Sequence, residues 1–284
     1  MIVVTGATGH LGTLVVEGLL RKVPASEIVA AVRSPEKAAD LAARGVQVRK
    51  ADYSDPSSLV QAFAGADKVL LISGSEVGRR VAQHTAVVEA AKAAGVSHLL
   101  YTSILRADTT KLLLAAEHKA TEQVIRDSGI PFTFLRNGWY TENYAATVAQ
   151  ALETGSFAGS AGTGALGAAP RADYADAAVA ALTTEGHEGK AYELAADEAW
   201  SYTDFAAELA TATGKPVSYQ DVPADQHLRI LVGAGVPEGF AGILVDADRG
   251  IAEGELADDS HDLSTLAGHP TTPLRESVAL LLKG

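Results

Sequence analysis

The residues with the clearest chemistry lie at the start of the chain. Gly6-Ala7-Thr8-Gly9-His10-Leu11-Gly12 spaces three glycines as G-x-x-G-x-x-G. The run follows an apolar segment, Ile2–Thr5, and precedes a stretch of helical periodicity. In that setting Gly6 permits a tight turn and Gly9 lets the backbone approach a pyrophosphate. Gly12 lets the helix pack close to the strand. The helix start then offers unpaired N–H groups and the positive end of its dipole to phosphate. Thr8, His10 and Leu11 complete the contacts expected along this turn. A dinucleotide site is predicted.

Arg33 bears on which dinucleotide. In NAD-preferring folds an Asp or Glu closes the second strand and accepts a bond from the ribose 2′-hydroxyl. Here the segment Ile28–Val32 ends in Arg33-Ser34, with no acid. A guanidinium suits the dianionic 2′-phosphate of NADP(H), and Ser34 can add a hydrogen bond. The plain alternative for Arg33 is a solvated strand-end charge. Asp52, after the third strand, reads as an adenine-edge contact or as a turn former.

Further candidates fall on the carboxyl edge of the expected sheet, where ligands bind in open α/β folds. Ser73-Gly74-Ser75 follows strand four and Thr102-Ser103 follows strand five. Both supply small side chains and backbone donors near a nicotinamide ribose, or are simply loop starts. Short-chain dehydrogenases carry Tyr-x-x-x-Lys, whose spacing lets the Lys charge lower the Tyr pKa. None of the eight tyrosines has a Lys four residues later, and Ala115 stands four before Lys119. That argues against a standard alcohol or sugar-nucleotide mechanism. His118 remains nearby, able to orient or protonate an acceptor, or to serve the fold alone. Hydride chemistry belongs to the nicotinamide, so an easily reduced acceptor such as a quinone needs little acid help.

These residues need a scaffold, and the first half of the chain supplies one. Strands are expected over Ile2–Thr5, Ile28–Val32, 46–48, 68–73, 98–103 and 131–135. Helices are expected over 10–21, from Ser34 and Pro35 as cap and first residue, over 57–63, 80–94 and Ala115–Ser128. Strand–helix alternation of this kind implies an α/β fold, a Rossmann-type doubly wound parallel sheet. The second half is less regular. Residues 155–167 are rich in small residues and read as a loop with a short strand. Helices follow over 173–183 and 203–213, and strands over 191–194 and 217–220. We expect a dinucleotide-binding domain over 1–150, segments near 168–195 returning to it, and a smaller substrate lobe over 151–284.

Composition narrows the function. The chain has 284 residues, 47% of them hydrophobic, and a formal net charge of −12. A basic face for nucleic acid or anionic lipid is not expected. With no cysteines, thiolate chemistry and Cys-held metals are excluded. No cluster of other metal ligands stands out, so no metal is expected. The first residues already read as a strand, which leaves no room for a leader, and no apolar run is long enough to span a bilayer. A cytoplasmic protein without stable membrane insertion is expected.

Several stretches resemble one family nearly end to end. They are Thr5-Gly6-Ala7-Thr8-Gly9, Val23-Pro24-Ala25-Ser26, Ala51-Asp52-Tyr53, Leu70-Leu71-Ile72-Ser73 and Ala90-Ala91-Lys92-Ala93-Ala94-Gly95-Val96. Further on come Leu135-Arg136-Asn137-Gly138-Trp139-Tyr140, Arg171-Ala172-Asp173-Tyr174 and Gly268-His269-Pro270-Thr271-Thr272. The chain resembles the bacterial NAD(P)H:quinone oxidoreductases of type 2, in the NmrA-like, atypical short-chain dehydrogenase group that includes triphenylmethane reductases. The resemblance implies hydride transfer from NADPH to a quinone without flavin. It also implies cofactor contacts at the glycine turn, Arg33, Ser73 to Ser75, and Asn137, Gly138, Trp139, Tyr140, Thr141 and Glu142. Trp139 and Tyr140 are candidates to stack on nicotinamide or quinone, or to pack between lobes, and Tyr144 is a further substrate candidate. His118 falls where isoflavone-reductase-like relatives place a catalytic Lys. Departures are mild: His10 replaces a common Gln, Gly74 sits in a loop more often serine-rich, and Lys119 is not generally shared. An NADP(H) sensor without turnover and a reductase of triphenylmethane dyes are the competing readings. A monomer or homodimer is expected.

Overall fold

The computed structural model describes residues 1–283. The chain alternates strand and helix through its first half. β1 (Ile2–Thr5) leads to α1 (His10–Leu20), β2 (Ile28–Val32) to α2 (Ala39–Ala43), and β3 (Gln47–Lys50) to α3 (Pro56–Ala62). β4 (Lys68–Leu71), α4 (Arg80–Ala93), β5 (His98–Ile104), α5 (Ala115–Ser128) and β6 (Phe132–Asn137) continue the pattern. Then come β7 (Trp139–Tyr140), α6 (Ala145–Thr154), β8 (Ser156–Gly159), β9 (Ala165–Leu166), β10 (Ala168–Ala169), α7 (Arg171–Thr183) and β11 (Lys190–Leu194). The chain ends with β12 (Trp200–Ser201), α8 (Tyr202–Thr213), β13 (Ser218–Asp221), α9 (Ala224–Gly233), α10 (Glu238–Ala252), α11 (Asp262–Ala267) and α12 (Leu274–Leu281).

Seven strands form one parallel sheet in the order β11-β6-β5-β4-β1-β2-β3. This is the doubly wound Rossmann order with one added strand, β11, at the edge beside β6. Alternating side chains feed two cores, as burial on both faces requires. Val4, Ala30 and Leu70 point to one side, packed with Val15, Leu19 and Tyr174 of α1 and α7. Val3, Val29 and Leu71 point to the other, packed with Leu59, Val87 and Ile125 of α3, α4 and α5. A third core, with Phe157, Trp200, Phe205 and Ile251, belongs to the C-terminal elements.

Boundaries differ from the sequence reading where polar residues find partners. β5 runs to Ile104 and β6 to Asn137, beyond the apolar runs. Ser103 and Arg136 tolerate burial there because both bond Glu122. The turn after β2 is a 3-10 segment, Pro35–Ala38, that precedes the short α2, and Ser34 makes no side-chain cap. The third strand is polar and lies at residues 47–50, because it is the sheet edge. Residues 155–167 hold two strands rather than one, β8 and β9.

Candidate functional site

A cleft of about 420 Å³ opens at the carboxyl ends of β1, β2, β3 and β4. Gly6, Thr8 and Gly9 form its floor. Gly6 adopts φ +59, the left-handed region that glycine enters without strain. Its carbonyl accepts from Gly9 N–H at 2.9 Å, which closes the turn. No side chain caps α1, and Gly9 provides its N-cap. The first-turn N–H groups are therefore left for a ligand, the arrangement that suits phosphate. Gly12 is the packing glycine: a Cβ there would lie 2.2 Å from Gly6 O and 2.8 Å from Ala7 Cα. Leu11 is buried in the core behind the turn, and His10 is exposed at the helix start. Neither side chain lines the cleft.

The end of the cleft beside β2 is cationic. Arg33 and Ser34 line it, and the 3-10 turn brings Lys37 to the same wall. Lys37 was not singled out in the sequence, although a basic residue in the turn just after β2 is a readable signal. The Arg33 guanidinium is 75% exposed and lies 3.8 Å from Glu76, so it is not committed to a protein partner. Asp52 also lines the cleft, but its carboxylate accepts from Ser54 N–H at 2.9 Å and shapes the local turn.

Ser73, Gly74 and Ser75 line the opposite wall, and a group of buried polar residues fixes them. Ser73 N–H donates to Thr102 Oγ1 at 2.9 Å. Gly74 N–H donates to His84 Nε2 at 3.0 Å, and Arg80 Nε donates to Gly74 O at 2.9 Å. Arg80 then pairs with Glu117 at 2.8 Å, and Glu117 accepts from Gly78 N–H at 2.9 Å. Thr121 spends its proton on Glu117 O, so His84 donates from Nδ1 to Thr121 and accepts at Nε2. Burial, with Arg80 nearby, pulls the His84 pKa down to about 3 and keeps the ring neutral for that task. No local spacing signals this clamp, because its members sit on two helices as ordinary polar residues. It also corrects the expectation for Thr102 and Ser103. Neither lines the cleft: Thr102 holds the β4 loop from behind, and Ser103 donates to Glu122 at 2.7 Å.

His118 stands one turn further along α5 than the start of that helix, and Tyr101 hydroxyl lies 2.7 Å from its Nδ1. Burial pulls its pKa down to about 3, helped by Arg80 and His84. An imidazolium acid is therefore not what His118 offers near neutral pH. The ring is buried behind the cleft and does not line it.

The segment after β6 is placed apart from the 420 Å³ cleft. Gly138 packs so closely that a Cβ would meet Leu194 O at 3.0 Å. Asn137 donates through Nδ2 to Tyr140 hydroxyl at 2.9 Å, while its Oδ1 is buried without a partner. Tyr140 is held edge-on to Tyr174 and under the Arg171 guanidinium, 4.5 Å from the ring centre. Glu142 accepts from Arg171 N–H at 3.0 Å, Thr141 is buried, and Trp139 is half-buried. Tyr144 turns into the C-terminal core, 7% exposed, with its ring 5.4 Å from Phe205 and its hydroxyl donating to Tyr202. The aromatic cluster claims it, which corrects its expected role as a substrate contact. Among the described residues no group of three or more His, Asp or Glu is placed to hold a metal, and no helix is long and apolar enough to cross a membrane.

Residues 1–263 match the model of the NmrA-like family. Over 281 residues the chain is 54% identical to Quinone oxidoreductase 2 of Escherichia coli (strain K12), covering 99% of this chain and 98% of that one. A crystal structure of the E. coli NADPH-dependent quinone oxidoreductase, complexed with NADPH, is similar with a TM-score of 0.97 over 99% of this chain and 100% of that one, at 54% identity. The triphenylmethane reductase of Citrobacter sp., complexed with NADP(H), is similar with a TM-score of 0.93 at 44% identity, over 99% of this chain and 100% of that one.

Proposed function

The chain belongs to the NmrA-like family, and on that premise we propose that it reduces quinones with NADPH. The carrying observation is the cleft itself: an uncapped helix start behind three glycines, with Arg33, Ser34 and Lys37 gathered at its far end. Phosphate at the helix start and a 2′-phosphate at the cations account for both groups. The unpartnered Oδ1 of Asn137 supports a polar ligand group at the end of β6. The full-length likeness to a quinone oxidoreductase supports the acceptor class.

When bound, NADPH supplies the hydride. The protein orients and holds. The His84–Arg80 clamp sets the position of the Ser73 to Ser75 wall. Tyr101 and His118 are both neutral, since burial raises the Tyr101 pKa and lowers that of His118. Reduction of a quinone to its hydroquinone needs one proton besides the hydride, and in this site solvent supplies it. Trp139 and Tyr140 flank the acceptor. The cysteine-free composition fits a cytoplasmic enzyme, and we take it to act as a monomer or homodimer.

The test is to mix flavin-free protein, NADPH and small benzoquinones or naphthoquinones and to follow the loss of NADPH absorbance. Protein-dependent oxidation is expected. NADPH binding without oxidation of any quinone would leave a sensor, and reduction of triphenylmethane dyes alone would move the acceptor class.

A further inference from the structure

Glu76 lies in the same cleft, and neither the glycine turn nor the Arg33 reading gives it a task. Its two oxygens have different surroundings. Oε2 accepts from Arg79 at 3.1 Å and from Gln83 Nε2 at 3.2 Å, and Gln83 is itself buried. Oε1 faces Arg33, whose NH1 is 3.8 Å away, too far for a hydrogen bond. The carboxylate is thus held from behind and presented, 41% exposed, to the Arg33 guanidinium.

We propose that Glu76 sets the balance between NADPH and NADH, opposing a 2′-phosphate and accepting a hydrogen bond from a free 2′-hydroxyl. The proposal rests on Arg33 as the cation for the 2′-phosphate. A dianion drawn to Arg33 comes close to Oε1 as well, and like charges at that range subtract from the attraction. NADH brings no phosphate there, and its 2′-hydroxyl is a donor. An acid at the end of the second strand does this work in NAD-preferring folds. Here the acid arrives from the loop after β4 instead, and Arg79 and Gln83 fix its aim. The site then carries a reader for each cofactor side by side. Arg33 and Lys37 favour the phosphate, and Glu76 tempers that preference.

The experiment titrates wild type, Glu76→Gln and Arg33→Ala with NADPH, NADH and 2′,5′-ADP. Exposed charge pairs are worth up to about a factor of five. Glu76→Gln is expected to tighten NADPH and 2′,5′-ADP about three- to fivefold and to weaken NADH by a similar factor. The NADPH/NADH affinity ratio then shifts about 10- to 25-fold. Thermal melting checks that the exposed substitution leaves the fold intact. An unchanged or reversed ratio in Glu76→Gln, with Arg33→Ala still losing NADPH selectively, would overturn the role of Glu76 and leave Arg33 standing. An unchanged ratio in Arg33→Ala would overturn both.

Discussion

Gly12→Ala tests whether the start of α1 holds phosphate or merely fills space. The added Cβ would sit 2.2 Å from Gly6 O, 2.8 Å from Gly6 C and 2.8 Å from Ala7 Cα. All three are backbone atoms, so no side chain can swing aside. Gly6 is fixed by its left-handed φ of +59 and by the bond from Gly9 N–H. Restoring an ordinary contact therefore moves α1 away from the turn by about 1 Å. That helix buries Val15, Val16 and Leu19 completely, so the shift also disturbs the core. Overpacking of this kind costs about 1–3 kcal/mol, and a chain of this size melts about 2–5 °C lower as a result. Binding suffers more. A hydrogen bond stretched from about 2.9 to about 3.9 Å is lost, and each charge-assisted bond to phosphate is worth about 1.5–3 kcal/mol. Two such losses raise the NADPH Kd by at least about 100-fold. Melting curves and fluorescence titration with NADPH read the two effects separately. Gly239→Ala in α10, where a Cβ meets open space, is the control and should not lower the melting temperature. A lowered melting point with an unchanged Kd would refute phosphate binding at the helix start. An unchanged melting point would refute the packing role of Gly12.

Lys37→Ala should weaken NADPH about three- to fivefold and leave NADH alone, with the difference shrinking in high salt. Equal losses for both cofactors would separate Lys37 from the 2′-position. His118→Gln should slow turnover modestly, keep NADPH affinity, and leave the pH–rate profile between about pH 6 and 8 unchanged, because the wild-type ring is already neutral there. Loss of a pKa near 7 in the variant would contradict that. His84 and His118 have folded pKa values of about 3, below the unfolded value, so their burial favours the neutral form. Their contribution to stability is fully present above about pH 6.5 and is lost as pH falls from there toward 3, by about 1.4 kcal/mol per pH unit per histidine. Melting temperatures at pH 7 and pH 5 should converge more in His118→Gln than in wild type; an identical drop would show that His118 does not contribute. Glu122→Ala strips Arg136 of its two bonds at 2.9 and 2.8 Å in the interior and should cost about 3–5 kcal/mol in a denaturant titration. A loss below about 1 kcal/mol would mean that Glu193 and Asp108 suffice.

Local chemistry was legible in the sequence, and long-range chemistry was not. The glycine turn could be read because strand, turn and helix follow one another, so spacing alone places Gly6, Gly9 and Gly12. Arg33 could be read because a strand end is a defined place in a doubly wound sheet. Lys37 was within reach by the same logic. The clamp on Gly74 was not, since Arg80, His84, Glu117 and Thr121 come together only when α4 packs against α5. Along the chain each looks like a residue of a solvated helix face. Tyr144 shows the opposite failure. An aromatic beside an expected ligand segment suggests stacking, but its partners Trp200, Tyr202 and Phe205 lie far along the chain and draw it inward. Ser103 was drawn inward in the same way by Glu122.

The absence of Tyr-x-x-x-Lys acquires a structural meaning from what occupies the space behind the β4 loop. Tyr53, His84, Tyr101 and His118 form a ladder of rings with centres about 6 Å apart or less. Each member spends a polar atom on a neighbour or on the backbone, and burial biases all four toward the neutral state. A Lys placed to sharpen a tyrosine into an acid would bring an uncompensated charge into this ladder, and burial makes that costly. The charges that do occur nearby are either paired, as Arg80 with Glu117 and Arg136 with Glu122, or displayed at the cleft mouth, as Arg33 and Lys37. On the proposed function, Arg33 and Lys37 at the mouth act on the phosphates of the cofactor, with Glu76 beside them, rather than on the acceptor. On the same proposed function, a rigid, neutral wall with its charges kept to the cleft mouth holds the hydride donor and suits acceptors that need no strong protein acid.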